Sequence, residues 1–201
     1  EEVNDETELG ERESMEFDVV IVGGGPAGLA SAIRLKQLAQ ETETELEVCL
    51  LEKGAEVGSH IISGNVFNPM ALNELIPDWK EKGAPLSQQV TKDEFWYFTK
   101  NGRIKAPFLP KDMQNDGNYI ISLSDLCRWL NEQAEELDVV VLPGFSASEP
   151  LYNTAHDGMI GVATSDLGLL KDGSIGPNFE RGTEVIGRQT ILSEGCRGSI
   201  S

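Results

Sequence analysis

Phe17 to Ala39 reads FDVVIVGGGPAGLASAIRLKQLA, an unbroken apolar run that meets glycines at G-x-G-x-x-G spacing and then takes on a helical pattern. Val19, Val20, Ile21 and Val22 have no polar alternation, which is the mark of a parallel strand covered on both faces. The glycines at 23, 25 and 28 have separate uses. Gly23 permits a tight turn, Gly25 lets a pyrophosphate approach bare backbone, and Gly28 lets the following helix pack against the strand. Pro26 suits the first helical position, where no N–H is needed, and Ala27 continues the turn. A helix that starts this way offers free N–H groups and the positive end of its dipole to two phosphates.

Such a spacing alone is weak, and its surroundings strengthen it. After the polar loop QETETE comes a second apolar strand, LEVCLL from Leu46 to Leu51, ending on Glu52, 24 residues beyond Gly28. A dinucleotide fold places an acidic residue about 20 residues on, where its carboxylate accepts from ribose hydroxyls. The competing reading pairs Glu52 with the adjacent Lys53.

Working outward, the composition bounds the function. The 201 residues carry a net charge of -18, which repels nucleic acid and disfavours adhesion to an anionic membrane by charge alone. Cys49, Cys127 and Cys196 form no C-x-x-C pair, so no zinc, dithiol or iron–sulfur ligand set is expected here, and a reducing compartment fits. No run approaches the roughly 18 apolar residues of a spanning helix. Residues 1–16 carry eight acids against one base, Arg12, and read as a mobile acidic leader before a single domain over 17–201.

After Glu52 the chain reads KGAEVGSHIISGNVFNP, a loop rich in Gly and Ser whose backbone a planar ring system could approach. His60 within it is either chemical or structural, and no Ser-His-Asp or Cys-His set is discernible. Asn68 to Trp79 shows a short helical pattern stopped by Pro77. EFWYFT from Glu94 and GRIKAPFL from Gly102 read as a hairpin with a turn at Lys100-Asn101-Gly102, an excursion near residues 65–118. Its exit mixes Ile104, Phe108, Leu109 and Met113 with Pro107 and Pro110, a combination unusual for an ordinary surface loop that suits either a bilayer contact or a hairpin packed on a neighbouring domain. Ser124 then caps a helix with Leu126, Trp129, Leu130, Ala134 and Leu137 on one face, and Val139 to Leu142 is another parallel strand. Short strands follow around Leu151, over 160–164 and over 179–186, with turns at Asp157-Gly158 and Asp172-Gly173; they read as a β-meander. Last, QTILSEGCRGS from Gln189 runs an apolar strand into Gly195 and Gly198, a second glycine-rich strand end of the kind a flavin dinucleotide uses.

These residues resemble the electron-transfer flavoprotein:ubiquinone oxidoreductases, within the wider group of FAD-binding dehydrogenases and hydroxylases. The resemblance runs along most of residues 12–201 and rests on ERESMEFDVVIVGGGPAGLASAIRLKQLA, GSHIISGNVFNP, ELIPDWKEKGAPL, DGNYIISLSDLCRWLNEQAEEL, ATSDLGLLKDG and LSEGCRGS. It implies a fold of α/β class: a Rossmann-like FAD/NAD(P)-binding domain with a parallel sheet, a β-meander crossover and a β-hairpin excursion. It implies FAD as cofactor, electron-transfer flavoprotein and ubiquinone as partners, and a peripheral seat on one membrane leaflet, bacterial cytoplasmic or mitochondrial matrix face. Gly23, Gly25, Pro26, Ala27 and Gly28 would hold the pyrophosphate, Glu52 the ribose with Lys53 beside it, and Ser59, His60, Ser63 and Gly64 would lie along the flavin. Glu194-Gly195 is a looser match, since related flavoproteins usually have Asp-Gly there. Family members are far longer, and their four-iron four-sulfur cluster and most of the quinone-binding part lie beyond residue 201, so the chain reads as an N-terminal part without a catalytic acid–base pair or metal site of its own. The rivals are an FAD-dependent hydroxylase or prenyl reductase of the same fold, and a flavin-free binder of the GDP-dissociation-inhibitor type.

Overall fold

A computed structural model describes residues 10–62, 64–171 and 174–200. The first nine residues of the expected leader, Ser63 and the Asp172-Gly173 turn lie outside them.

The chain opens with β1 (Ser14–Val22), α1 (Pro26–Glu41) and β2 (Val48–Glu52), as the glycine spacing predicts. The excursion then holds β3 (Asn65–Phe67), α2 (Met70–Leu75), β4 (Gln88–Gln89), the hairpin β5 (Trp96–Thr99) and β6 (Gly102–Lys105), a single 3-10 turn at Lys111–Met113, and β7 (Tyr119–Ile121). The chain returns through α3 (Leu123–Glu135) and β8 (Val140–Pro143). It continues through β9 (Ala147–Tyr152), β10 (Met159–Thr164), β11 (Leu167–Leu169), β12 (Ile175–Glu180) and β13 (Glu184–Leu192).

One six-stranded sheet runs β8-β2-β1-β13-β10-β9. Its first four strands are parallel, and β10 and β9 extend it antiparallel. The two faces of β1 and β2 divide by parity. Val19, Ile21, Val48 and Leu50 enter the core beneath α1 and α3, whereas Val20, Val22, Cys49 and Leu51 meet Val162 and Val185 on the opposite face. Burial on both sides is why these strands show no polar alternation.

Several sequence expectations need correction. The acidic leader ends before residue 16: Ser14 already pairs with Glu184 in register, and Arg12 makes a bidentate bond to Glu149. The expected meander strand over 179–186 splits, because Asp166 accepts from the Gly182 N–H and from Arg181 and breaks the run there. Its second half belongs to the long parallel strand β13. The meander's β9 and β10 join the main sheet, and β11–β12 forms a separate two-stranded hairpin. The cap of α3 is Ser122, whose hydroxyl accepts from the Asp125 N–H, while Ser124 donates to the Ile61 carbonyl. Finally, the excursion is more than a hairpin. Leu72, Ile76, Trp79 and Leu86 are buried within the main core, so its helical start packs on the domain and only β5–β6 and its exit project.

Candidate functional site

β1 lies between β2 and β13: the chain builds the sheet from β1 through β2 to β8 on one side, and only later adds β13 on the other. Parallel sheets bind ligands in the crevice beyond the carboxyl ends of strands at such a switch point. Here that position is a cleft of about 560 Å³. Its floor is Val22 and the Gly23-Gly24-Gly25 turn. Leu51, Glu52 and Lys53 line one side, Leu192, Ser193, Glu194 and Gly195 the other, and Phe145–Ala147 a third.

The turn is shaped by close approach. Gly23 has φ +110° and lies against Ser193, where a Cβ would meet the carbonyl oxygen at 2.5 Å. At Gly28 a Cβ would come within 2.0 Å of the Gly23 carbonyl oxygen, so the first turn of α1 closes directly onto the loop it follows. Gly25, by contrast, has nothing within 4 Å of its would-be Cβ and faces open cleft. Pro26 occupies the start of α1, and no side chain caps that helix end. An open, uncapped helix N-terminus with bare backbone in front of it fits a diphosphate.

Glu52 is half-buried, and its carboxylate accepts from the backbone N–H of Gly24 at 3.0 Å and of Gly54 at 2.7 Å. Lys53 is exposed and lines the cleft beside it. Across the cleft, Glu194 turns its carboxylate to the N–H groups of Ser199 and Ile200 and to the Ser199 hydroxyl. The longer side chain thus closes the SEGCRGS turn on itself, and Gly195, with φ +79°, remains at the cleft wall. Arg197 also reaches this wall.

The structure sorts the loop residues named along a flavin. His60 lines the cleft together with Gly58 and Ile61, and its Nδ1 sits close to Gly54. Ser59 is outside the lining, its hydroxyl donating to the Glu56 carbonyl, and exposed Gly64 is also outside it. Ser63 is outside the described residues. Sequence reasoning missed Gly24, Phe145–Ala147 and Arg197. Arg197 stood in the quoted SEGCRGS stretch, and Pro143-Gly144 marks a turn, yet neither shows in sequence that it converges on Gly23.

Two thiols, Cys49 and Cys127, are buried in the hydrophobic clusters on the two faces of the sheet. Burial pushes Cys49 up to about 12, and burial with the nearby Glu52 charge does the same to Cys127. Neither is suited to nucleophilic work. Among the described residues, no group of three or more His, Cys, Asp or Glu could hold a metal, and no helix is long and apolar enough to cross a membrane.

Residues 21–77 match the NAD(P)-binding Rossmann-like domain family. The chain is 56% identical over 196 residues, 98% of its length, to the mitochondrial electron transfer flavoprotein-ubiquinone oxidoreductase of Dictyostelium discoideum. It is 53% identical over 195 residues, 94% of its length, to the protein of that name from Pseudomonas aeruginosa. It spans 32% and 35% of those two proteins, about a third of each. The resemblance read from the sequence therefore holds along nearly the whole chain. A geranylgeranyl bacteriochlorophyll reductase-like protein from Thermoplasma acidophilum shares the fold, with a TM-score of 0.61 at 17% identity over 89% of this chain and 39% of that one.

Proposed function

We propose that this chain is the FAD-binding part of an electron-transfer flavoprotein:ubiquinone oxidoreductase, passing electrons from reduced electron-transfer flavoprotein towards ubiquinone. The observation that carries the reading is the identity of 51–56% over 94–98% of the chain to proteins of that name. Identity at this level favours the oxidoreductase over a hydroxylase or a prenyl reductase. The latter shares only the fold.

The protein's own residues have a binding task. The Gly23–Gly28 turn and the α1 N-terminus receive the diphosphate, with Pro26 and Ala27 shaping its start. Glu52 and Lys53 stand at the ribose end. His60 and Gly195 flank the opening on the flavin side, and Arg197 adds a positive charge to the wall of Leu192, Ser193, Glu194 and Gly195. FAD supplies the electron uptake and release when bound. No acid–base pair is required of the protein, since position, access and electrostatic surroundings are what such chemistry asks of its host. The iron–sulfur cluster belongs to the remaining two-thirds of the longer proteins.

The hairpin β5–β6 and its exit are the proposed membrane or quinone-entrance contact. Ile104, Phe108 and Met113 are exposed, and Leu109 is half-buried. A peripheral seat on the bacterial cytoplasmic or mitochondrial matrix face follows from this reading.

The function is tested with the whole protein by mixing it anaerobically with reduced electron-transfer flavoprotein and a soluble ubiquinone analogue. Catalytic quinone reduction that depends on FAD is the expected result. Reduced nicotinamide acting as a better donor than the flavoprotein would overturn the proposal.

A further inference from the structure

The carboxylate of Glu52 joins two loops directly and a third through Gly54. Its Oε2 holds the N–H of Gly24 in the turn between β1 and α1, and its Oε1 holds the N–H of Gly54 in the loop leaving β2. The carbonyl of Gly54 in turn accepts from the N–H of Gly144 at 2.8 Å, in the loop leaving β8. That third loop continues into Phe145–Ala147, which forms a wall of the cleft. The fit around the carboxylate is close. A Cβ at Gly24 would stand 2.8 Å from Oε2, and one at Gly54 would stand 3.0 Å from Oε1. Both glycines are buried, and neither belongs to the G-x-G-x-x-G spacing.

We propose that Glu52 is a positioning residue that pre-forms the diphosphate turn, acting through Gly24 and Gly54 independently of any bond to a ribose. The inference rests on the dinucleotide-binding reading of this cleft. Two N–H donors converge on one side chain, and only a carboxylate presents an acceptor to each. A glutamine of the same length has one acceptor oxygen and would turn its NH2 group towards the other N–H. Fixing the Gly24 peptide fixes the peptides that follow it into α1. Loops that are ordered before a ligand arrives cost less to order on binding.

The test uses the full chain with two probes, ADP and dideoxy-ADP, which lacks both ribose hydroxyls. Glu52→Gln should weaken both by about tenfold, the scale of one lost hydrogen bond to a charged group. It should also speed amide exchange at Gly24, Gly54 and Gly144 in the ligand-free protein. Loss of ADP affinity with unchanged dideoxy-ADP affinity would make Glu52 a ribose ligand alone and overturn the proposal, as would unchanged exchange at those amides. If Glu52→Gln does not fold, Gly54→Ala is measured in the same way. It crowds Oε1 without touching the β1–α1 turn, and unchanged dideoxy-ADP affinity in that variant overturns the proposal too. A wild-type chain that binds neither nucleotide also overturns it. A wild-type chain that binds both nucleotides but not FAD refutes the flavin reading and leaves the positioning role intact.

Discussion

Gly25 and Gly28 sit in one turn, yet a side chain would meet opposite surroundings at the two positions. At Gly28 an added Cβ runs into the Gly23 carbonyl oxygen at 2.0 Å, backbone against backbone, with no flexible side chain to give way. Gly28→Ala should therefore destabilise the fold by about 1–3 kcal/mol or more, as overpacking in a close-packed site does. Denaturant unfolding of the variant checks this, and an unchanged midpoint would contradict it. The cysteines separate just as sharply. Cys49 and Cys127 are buried with their thiols pushed up to about 12, whereas Cys196 is exposed in the SEGCRGS turn. A maleimide should label Cys196 alone in the native protein, and all three cysteines after denaturation. Native labelling at Cys49 would show that the β1–β2 face opens more readily than its packing implies.

At the scale of elements, the projecting hairpin is two-faced. Register pairs Tyr97 with Ile104 on one face, and Trp96 with Lys105 and Phe98 with Arg103 on the other. The second face is held by charge. Glu94 accepts from Lys105 and from the Trp96 indole N–H, and Arg103 lies 4.7 Å from the Trp96 ring centre. The first face leaves Tyr97 and Ile104 exposed, with Phe108 exposed at the hairpin exit. An exposed apolar ridge beside lysine and arginine is what the proposed contact with an anionic bilayer asks for, despite the acidic molecule behind it. Phe108→Ser with Leu109→Ser in the whole protein should release it from anionic vesicles, and undiminished sedimentation with vesicles would contradict the contact.

The same hairpin has a pH signature. Its hydrogen bonds to Lys105 first, then to Lys92 and Trp96, lower Glu94 from 4.5 to about 2. A carboxylate with a depressed folded value stabilises fully above its unfolded value and loses that contribution as pH falls through the folded one. Amide protection of β5 and β6 should therefore decline between pH 4.5 and about 2. In Glu94→Gln the decline over that window should be absent; the same decline in the variant would refute the assignment to Glu94.

For the whole molecule, local pattern and long-range pairing divide what was legible in the sequence. β1, α1, β2, α3 and the β5–β6 hairpin were readable because each carries its own signal: a glycine turn, a helical period or an Asn-Gly turn. The start of β13 was not, since Ser14 finds Glu184 across the whole domain and no neighbouring residue announces that partner. The same holds for Trp79 and Leu86. Their burial against the main core depends on how the excursion folds back. Of the candidate site, the glycine turn, Glu52 and the loop from Gly54 were legible from spacing, while Phe145–Ala147 became part of the cleft only through the order of strands in the sheet.

FAD binding by this cleft through an open backbone turn can be tested at Gly25 without disturbing the fold. Gly25 has φ -82° and ψ -179°, an extended conformation that valine adopts readily, and nothing lies within 4 Å of its would-be Cβ. Gly25→Val therefore fills ligand space and leaves protein contacts alone. The measurement is an equilibrium titration of FAD into the wild-type chain and into Gly25→Val, followed by flavin fluorescence, with thermal unfolding of both as the control. Saturable binding to the wild type, competition by ADP, and at least about a tenfold loss in the variant at unchanged unfolding temperature are the expected results. Equal FAD affinity in the two proteins, or no FAD binding by a folded wild-type chain, would contradict it.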